Sequence, residues 1–564
     1  MTAVAAGAWV VLAVVVVAAW ERINTHRTWR VAALGLALAF SLAHQLLFST
    51  VAEDAYITFR YARNVADGLG PVFNAGERVE GYSNFLWLVL LALARATFGL
   101  GVAGVGVVLG VLCTLGCVLV AHLLVNRIVR LAQPEGPGLP ALGVAAAVLT
   151  AGAGPLAAYG PSGLETPLFV LLVLAVCYAL AAGRPVVAGV LVALATMTRP
   201  DGVVVAVLAG LWLVTAALRR RATGWAPLGY VLGALVLVVP WTAWRVTYYG
   251  HLIPNAIVAK SGGSLGWQLE HGWAYLAGFA RTYQGFLLLA AIAVAYLAAR
   301  RRPAGDPAVR GRSLVWLVFL LAVAHVAFIV AVGGDWMPAW RLLAPVPPLL
   351  AVAATAAHGV HLVAGEQPGA PSPRPRGRAL AERRAVPIVA LALCGLSLVV
   401  STTHPRMQPA MHEWRAAIGD LAETGSWLGE RLPPGTVIAT YANGALSYRA
   451  GSHLIVVDVL GLTDEHIARQ GERVESAGMV GHIARDYDYV VNVRRPAVAI
   501  DNGSGYGDRQ HCGINPAYAG LYEVATFRRA GTGAWIALYL RRPQAQQLIE
   551  TLNADPRFTH VPCA

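Results

Sequence analysis

Residues 85–100, "FLWLVLLALARATFGL", decide how many times this chain crosses a membrane. The run is apolar but carries Arg95, and it falls short of the about 20 residues needed to span roughly 30 Å of hydrocarbon. If it spans, Arg127 and Arg130 move to the outer side, against the bias that gathers Arg and Lys in cytoplasmic loops. We therefore read it as a juxtamembrane or re-entrant helix on the outer interface, which restores the charge bias in the later loops.

Around it the chain is overwhelmingly apolar. Its 564 residues are 57% hydrophobic and 13% charged, with a mean hydropathy of +0.58, against about 25% charge in soluble domains. Runs of spanning length lie near 4–20, 31–49, 102–124, 139–157, 166–182, 202–218, 226–246, 283–299, 313–333, 341–362 and 386–403, with a shorter one at 186–199. The first has no basic residue before it and no small-residue cleavage site after it, so it is kept as a helix rather than a signal sequence. The expected fold is a polytopic α-helical membrane protein of about 12 transmembrane helices with outer juxtamembrane helices, over residues 1–403, plus a C-terminal soluble α/β domain, 404–564.

Arg clusters in 21–30, 125–138, 219–225, 300–312 and 366–385 are expected to face the cytoplasm, leaving both termini outside. The net charge of +13 then follows from loop topology and implies no nucleic-acid partner. After residue 403 charge and Gly rise, and "TVIATYA", "HLIVVDVLGL" and "YDYVVNV" read as strands. Cys512 and Cys563 are the two cysteines of this part and are expected to pair in an oxidising exterior, whereas Cys113, Cys117, Cys177 and Cys394 sit in apolar helices as small core residues.

Polar residues gather in four outer loops. The first outer loop, within 50–101, brings Glu53, Asp54, Arg60, Glu80, Tyr82 and Asn84; "GPSGLETPL" brings Glu165; "YYGHLIPNAIVAK" brings His251, Asn255 and Lys260, the single lysine of the chain; "GGDWMPAWRLLAP" brings Asp335 and Arg341. Each has a plainer reading. Glu165 starts a helix and suits its positive end, Asp335 follows Gly-Gly as a turn residue, His251 beside Pro254 reads as a loop histidine, and Arg199 and Asp201 in "TRPDG" read as a mutual ion pair. Glu53 and Asp54 resist such an account, because two like charges side by side at a low-dielectric boundary raise at least one pKa. In the C-terminal part, Asp464 reads as the cap of a helix starting at Glu465.

Carboxylates with Arg, Lys and Asn on one side of a helical bundle suit group transfer from an anionic lipid-linked donor, with one carboxylate as base and cations on the phosphate. The ordered blocks "EDAYITFRYARNVADGLGPVFNAGERVEGYSNFLW", "GPSGLETPL", "TRPDG", "YYGHLIPNAIVAK", "GGDWMPAWRLLAP" and "VVDVLGLTDEHIA" resemble those of the GT-C superfamily of membrane glycosyltransferases, and more narrowly the terminal β-(1→2) arabinofuranosyltransferase family. The resemblance implies an inverting glycosyltransferase that takes arabinofuranose from a decaprenyl-phosphate donor to a cell-wall arabinan at the outer face of the plasma membrane. It implies Asp54 as base, with Glu53 standing where the family has an aspartate, and Lys260 and Arg341 on the phosphate, helped by Arg60 or Arg199. A divalent cation at Glu53 and Asp54 fits carboxylate chemistry, and no motif demands one. Nothing in the sequence calls for a second copy of the chain. Another sugar donor, mannose or another pentose, is the alternative; a lipid-linked glycan transporter is the reading from another class, against which stand the absence of an internal repeat and the gathering of polar residues at one face.

Overall fold

The computed structural model describes residues 1–134, 138–298, 308–365, 376–475, 480–501 and 505–563. The Arg cluster at 300–302 and that within 366–385 lie outside the described residues, apart from the backbone of the Arg376–Thr403 helix. Two compact units emerge: one from 1–50, 106–242 and 268–412, the other from 51–105, 243–267 and 413–564.

The first unit is helical, and each expected span is met by a helix. Among the described residues, six helices are by themselves long and apolar enough to cross a membrane, or up to eight if each of two bent pairs is one span. One pair, Pro140–Ala151 with Gly154–Ser162, bends by 61°; the other, Leu265–Thr282 with Gln284–Ala298, bends by 92°. Shorter apolar helices such as Thr166–Ala181, Pro185–Thr198 and Gly202–Leu218 complete the set. Their starts are written locally: Pro140, Pro167 and Pro185 occupy first-turn positions, where proline loses no needed N–H.

Membrane helices cannot draw together by expelling water, so they pack by close backbone approach at small residues. Gly189 of the Pro185–Thr198 helix and Gly233 of the Ala226–Tyr249 helix make this approach reciprocal. A Cβ on Gly189 would lie 2.0 Å from the Tyr230 carbonyl oxygen, and one on Gly233 would lie 2.3 Å from that of Val186.

The second unit holds the strands: β1 Val437–Thr440, β2 Ile455–Asp458, β3 Glu472–Arg473, β4 Ala484–Arg485, β5 Val498–Ile500, β6 Gly505–Gly507, β7 Tyr522–Arg529, β8 Trp535–Arg541 and β9 Phe558–His560. A mixed sheet runs β2-β1-β5-β8-β7-β9, with β6 also on β8, while β3 and β4 pair apart. β1 pairs parallel with β2 and β5; the pairs made by β8 and β9 are antiparallel. Val457, Ala499, Val490, Tyr518, Tyr522 and Tyr539 form the core beside it. This unit takes in 51–105 and 243–267 besides the C-terminal residues for which a domain from 404 was expected.

Two of the three strand expectations hold, at β1 and β2. "YDYVVNV" instead forms a π-helical turn, Tyr489–Arg494. The reason is local: the Asp486 carboxylate accepts the Tyr489 N–H and Asp488 accepts from the Asn492 amide, closing helical spacings, and adjacent Val490 and Val491 are both buried where a strand would alternate. Cys512 and Cys563 are bonded, with Cα atoms 5.8 Å apart.

The glycine contacts give a direct test. Gly189→Ala and Gly233→Ala are each expected to cost about 1–3 kcal/mol and lower the detergent melting temperature. Gly7→Ala and Gly35→Ala, where a Cβ meets nothing within 4 Å, are expected to leave it level or raise it.

Candidate functional site

The Ala55–Ala66 helix starts immediately after Glu53 and Asp54 and is buried nearly all round, with Thr58, Arg60 and Asn64 enclosed together with Ile57, Phe59, Tyr61 and Ala62. Asp54 holds the N-cap position without making a side-chain cap bond. Its Oδ2 lies 3.6 Å from Lys260 Nζ. The ammonium side chain is 37% exposed and the carboxylate 12%, so water reaches the pair from one side.

Glu53 is buried. Its Oε1 accepts the Gly444 N–H at 2.5 Å, and the Ala445 amide also bonds to the carboxyl. Burial first, and the Asp54 charge second, push this carboxyl above the usual carboxylate range to about 8, against the opposing pull of the two amides. Gly444 is required by space: a Cβ there would lie 2.1 Å from the Glu53 carbonyl oxygen and 2.6 Å from Oε1. The site thus favours the protonated form of Glu53 beside the Asp54–Lys260 pair.

Lys260 ends the short Asn255–Lys260 helix, and two anchors fix that helix. The Asn255 side-chain amide donates to the carbonyls of Gly461, Leu462 and Asp464 at 2.9, 3.2 and 3.1 Å. The Ala256 N–H donates to the Glu80 carbonyl at 3.3 Å, and the Glu80 carboxylate is gripped by Arg245 through two 2.7 Å bonds.

Several residues expected to touch substrate make bonds within the chain. Arg60 is fully buried and donates to the carbonyls of Phe73, Ser447, Gly451 and Leu454 and to Asn74 Oδ1. Glu80 is bound to Arg245, the buried Tyr82 hydroxyl meets Tyr249 at 2.9 Å, and Asn84 exchanges bonds with Thr58. Asn255 is the anchor just described, and His251 pairs with Glu465 at 2.7 Å. Each of these side chains bonds to other parts of the chain, and for the buried ones a group left without a partner would be costly. Asp464 caps its helix by accepting the Ile467 N–H at 3.1 Å.

The first unit carries two further clusters. Arg199 grips Asp201 through bonds of 2.9 and 3.1 Å, which is the mutual pair expected. It also lies 3.6 Å from Glu165, whose carboxylate makes no cap bond although it stands at a helix start. His325 lies 3.7 Å from Asp201. In the other cluster Asp335 Oδ2 accepts Arg341 Nε at 2.8 Å and Oδ1 accepts the Met337 N–H at 3.4 Å, so this aspartate orients an arginine as well as closing a turn. Between them Ala339 and Trp340 adopt φ of 56° and 50°, a strained region for residues with a Cβ. The segment is held by Tyr159 donating to the Pro338 carbonyl at 2.7 Å, by Ala339 donating to the Arg406 carbonyl at 2.8 Å, and by the Arg406 guanidinium over the Trp340 ring.

Sequence reasoning missed Gly444, Arg245, His325 and Arg406. Only "YANGALS" offered a signal, an Asn-Gly turn ahead of a helix. Among the described residues no group of three or more His, Cys, Asp or Glu could hold a metal ion. Glu53 faces amides and Asp54 an ammonium, an arrangement that suits a proton and a phosphate, and no step is derived through a cation.

The chain is similar to known proteins in sequence and in fold. Residues 407–539 match a family model described as a domain of unknown function (DUF8728). The chain is 28% identical over 330 residues to a terminal β-(1→2)-arabinofuranosyltransferase of Corynebacterium glutamicum, covering 52% of this chain and 46% of that protein. It is 30% identical over 334 residues to the protein of the same name from Mycobacterium tuberculosis, covering 53% and 51%. The chain thus spans about half the length of the curated relatives it matches. In structure it is similar to ArnT from Cupriavidus metallidurans bound to undecaprenyl phosphate, with a TM-score of 0.54 and 16% identity over 92% of this chain and 99% of that one. It is also similar to the archaeal oligosaccharyltransferase AglB from Archaeoglobus fulgidus in complex with an inhibitory peptide and a dolichol-phosphate, with a TM-score of 0.52 and 12% identity over 92% and 75%. The GT-C fold expected from the sequence, a polytopic helical membrane protein with a strand-bearing C-terminal part, is the fold found.

The buried acid has a pH signature. A carboxyl whose folded pKa is raised from 4.5 to about 8 binds more protons folded than unfolded, so stability is lost as pH rises through that window. Glu53→Gln, which keeps an acceptor for the two amides, is expected to flatten this loss. Melting curves at pH 5 and pH 8 check it; an unchanged gap between the two variants would show that Glu53 is ionised in the folded protein.

Proposed function

We propose that the chain is an inverting glycosyltransferase that moves an arabinofuranosyl residue from decaprenyl-phosphoryl arabinose to a cell-wall arabinan, of arabinogalactan or lipoarabinomannan, at the outer face of the plasma membrane. The sequence similarity to two arabinofuranosyltransferases supports the sugar. The undecaprenyl phosphate and dolichol-phosphate bound in two solved structures of like fold support the donor class. The observation that carries the reading is the partly exposed Asp54–Lys260 pair beside the buried Glu53, whose carboxyl burial holds above the usual carboxylate range.

In the proposed reaction the acceptor hydroxyl gives its proton to the Asp54 carboxylate as its oxygen bonds to the anomeric carbon. The bond from that carbon to the phosphate oxygen breaks on the opposite face, inverting the centre, and the electron pair leaves with the polyprenyl phosphate. Lys260 faces the charge that develops there, the role a compact ammonium suits. No general acid is needed, since the phosphate leaves as a stable anion. Neutral Glu53 removes a second negative charge from the path of an anionic donor and offers its O–H to a sugar hydroxyl. Glu165 is proposed to orient a sugar hydroxyl, and Arg199 and Arg341 are proposed to bind donor phosphate, on the resemblance alone.

Two measurements test this. Asp54→Asn in purified protein is expected to lower transfer from the lipid donor by about 10²- to 10⁴-fold with melting unchanged; retention of more than a tenth of the activity removes Asp54 from the role. Lys260→Ala is expected to raise KM for the donor more than it lowers kcat, with Lys260→Arg partly restoring it. A panel of polyprenyl-phosphate sugars run alongside decides the sugar, and preference for mannose or another pentose would replace arabinofuranose.

A further inference from the structure

A cleft of about 400 Å³ opens within the second unit, between the segment around Glu77, the Glu465–Gln470 helix and the Tyr489–Arg494 turn. Neither Asp54 nor Lys260 lines it, and none of the chemistry above uses it. Its volume is that of a small-molecule pocket.

The cleft is organised by one guanidinium. Arg494 donates to Glu77 Oε1 at 2.8 Å, bonds the Tyr489 hydroxyl and lies 3.9 Å from the buried Asp464 carboxylate. Glu77 is held through its other oxygen by Asn74 Nδ2 at 2.8 Å. Tyr489 and Arg494 stand five residues apart, the spacing that a π-helical turn closes, and such turns are rare and recur at functional sites. The Tyr489 ring stacks on that of His466, with centroids 3.9 Å apart and planes inclined by 16°, and His466 Nε2 is tied to Asp486 at 3.0 Å. A partly exposed aromatic stack thus stands fixed beside a row of oriented polar groups.

The lining selects against ions. Among the described residues, Glu77, Asp464 and Glu465 balance Arg78, Arg469 and Arg494, and these charges already have company. Besides the Arg494 contacts, Glu465 meets His251 at 2.7 Å and Arg469 at 3.9 Å, and Arg78 rests over the Tyr248 ring at 4.8 Å. An ionic ligand would have to displace one of these partners. Hydroxyls need not, because a carboxylate has about four acceptor positions and a paired one still accepts from an O–H. The exposed Gln470 adds an amide that both donates and accepts. Val79 is the one aliphatic side chain among the described lining residues, and none of them lies in a strand. A peptide would therefore find neither apolar side-chain pockets nor a sheet edge.

We infer that this cleft binds a neutral oligosaccharide, with a sugar ring against the Tyr489–His466 stack and its hydroxyls on Glu77, Arg494 and Gln470. The electron-rich face of an aromatic ring attracts the polarised C–H groups of a sugar, and the neighbouring carboxylate, guanidinium and amide supply acceptors and donors within the same cleft.

The test is saturation-transfer NMR on the full chain in phosphatidylcholine nanodiscs, which keep sugar-headed detergents away. The probes are an α-(1→5)-arabinan hexasaccharide, maltohexaose and, as the charged control, hexagalacturonate. Choosing arabinan rests on the reading above, but no lipid donor is present, so failure of the proposed reaction leaves the binding result standing. At least one neutral chain is expected to bind with a Kd below about 1 mM and more tightly than hexagalacturonate. Tyr489→Ala is expected to raise that Kd about tenfold and Gln470→Ala, at an exposed position, about threefold; melting curves show that each is folded. Should Tyr489→Ala fail to fold, Gln470→Ala decides. Absence of binding by both neutral chains, preference for the charged one, or an unchanged Kd in the folded variants overturns the inference. So does binding that is lost in Asp54→Asn and kept in the two cleft variants, which would assign the sugar to the reactive centre.

Discussion

A sheet edge in contact with water is a row of unpaired amides and carbonyls, and here strand β2 forms such an edge. The first loop closes it without contributing a strand. The Asn74 side chain donates to the Val456 carbonyl at 2.9 Å and accepts the Val456 N–H at 3.0 Å, doing what a neighbouring residue of a ladder would do. Arg60 covers the Leu454 carbonyl beside it at 3.0 Å. Glu53 and Asp54 are positioned by that closure. With residues 60–74 fastened to the edge, the preceding Glu53 falls on the Gly444 amide, and Asp54 falls at the start of the same helix. Asn255 reads the turn after β2 in the same manner, through the carbonyls of Gly461, Leu462 and Asp464, and so delivers Lys260. The strand-bearing part acts as the jig that brings a carboxylate and an ammonium from distant segments to 3.6 Å.

The same closure explains which residues the sequence disclosed. Apolar runs of membrane length are legible because hydrocarbon thickness sets their period and extent, and every one became a helix. The breaks within them are harder to read: the 92° bend at Tyr283 joins two stretches of which only the second is strongly apolar. The acidic pair was legible because adjacent like charges have no simple structural use. Arg60, Asn84 and Asn255 have the polarity of sugar ligands and also bond within the chain, Arg60 and Asn255 to carbonyls that lie in part hundreds of residues away and Asn84 to the Thr58 hydroxyl; a polar side chain looks the same in sequence whichever it serves. Gly444 escaped for the converse reason. Its contribution is an N–H and a missing Cβ, neither of which a residue letter announces as chemistry.

Charge placement follows a consistent rule across both units. Arg199 with Asp201, Arg341 with Asp335 and Arg245 with Glu80 are each paired at 2.7 to 2.9 Å and largely withdrawn from water. Such pairs contribute orientation more than stability, because desolvation offsets much of the attraction. Asp54 and Lys260 depart from the rule by a longer, half-open contact.

The contact between Glu53 and Gly444 joins positions 391 residues apart in the chain. At a synthesis rate of about 5–20 residues per second, the amino-terminal carboxylates wait roughly 20 to 80 s before the glycine that buries them exists. During that interval the loop from 51 to 84 has left the ribosome with its Arg and Asn side chains solvated and its receiving sheet unmade. The placing of Asp54 and Lys260 can therefore be completed only after residues 444–464 have been made.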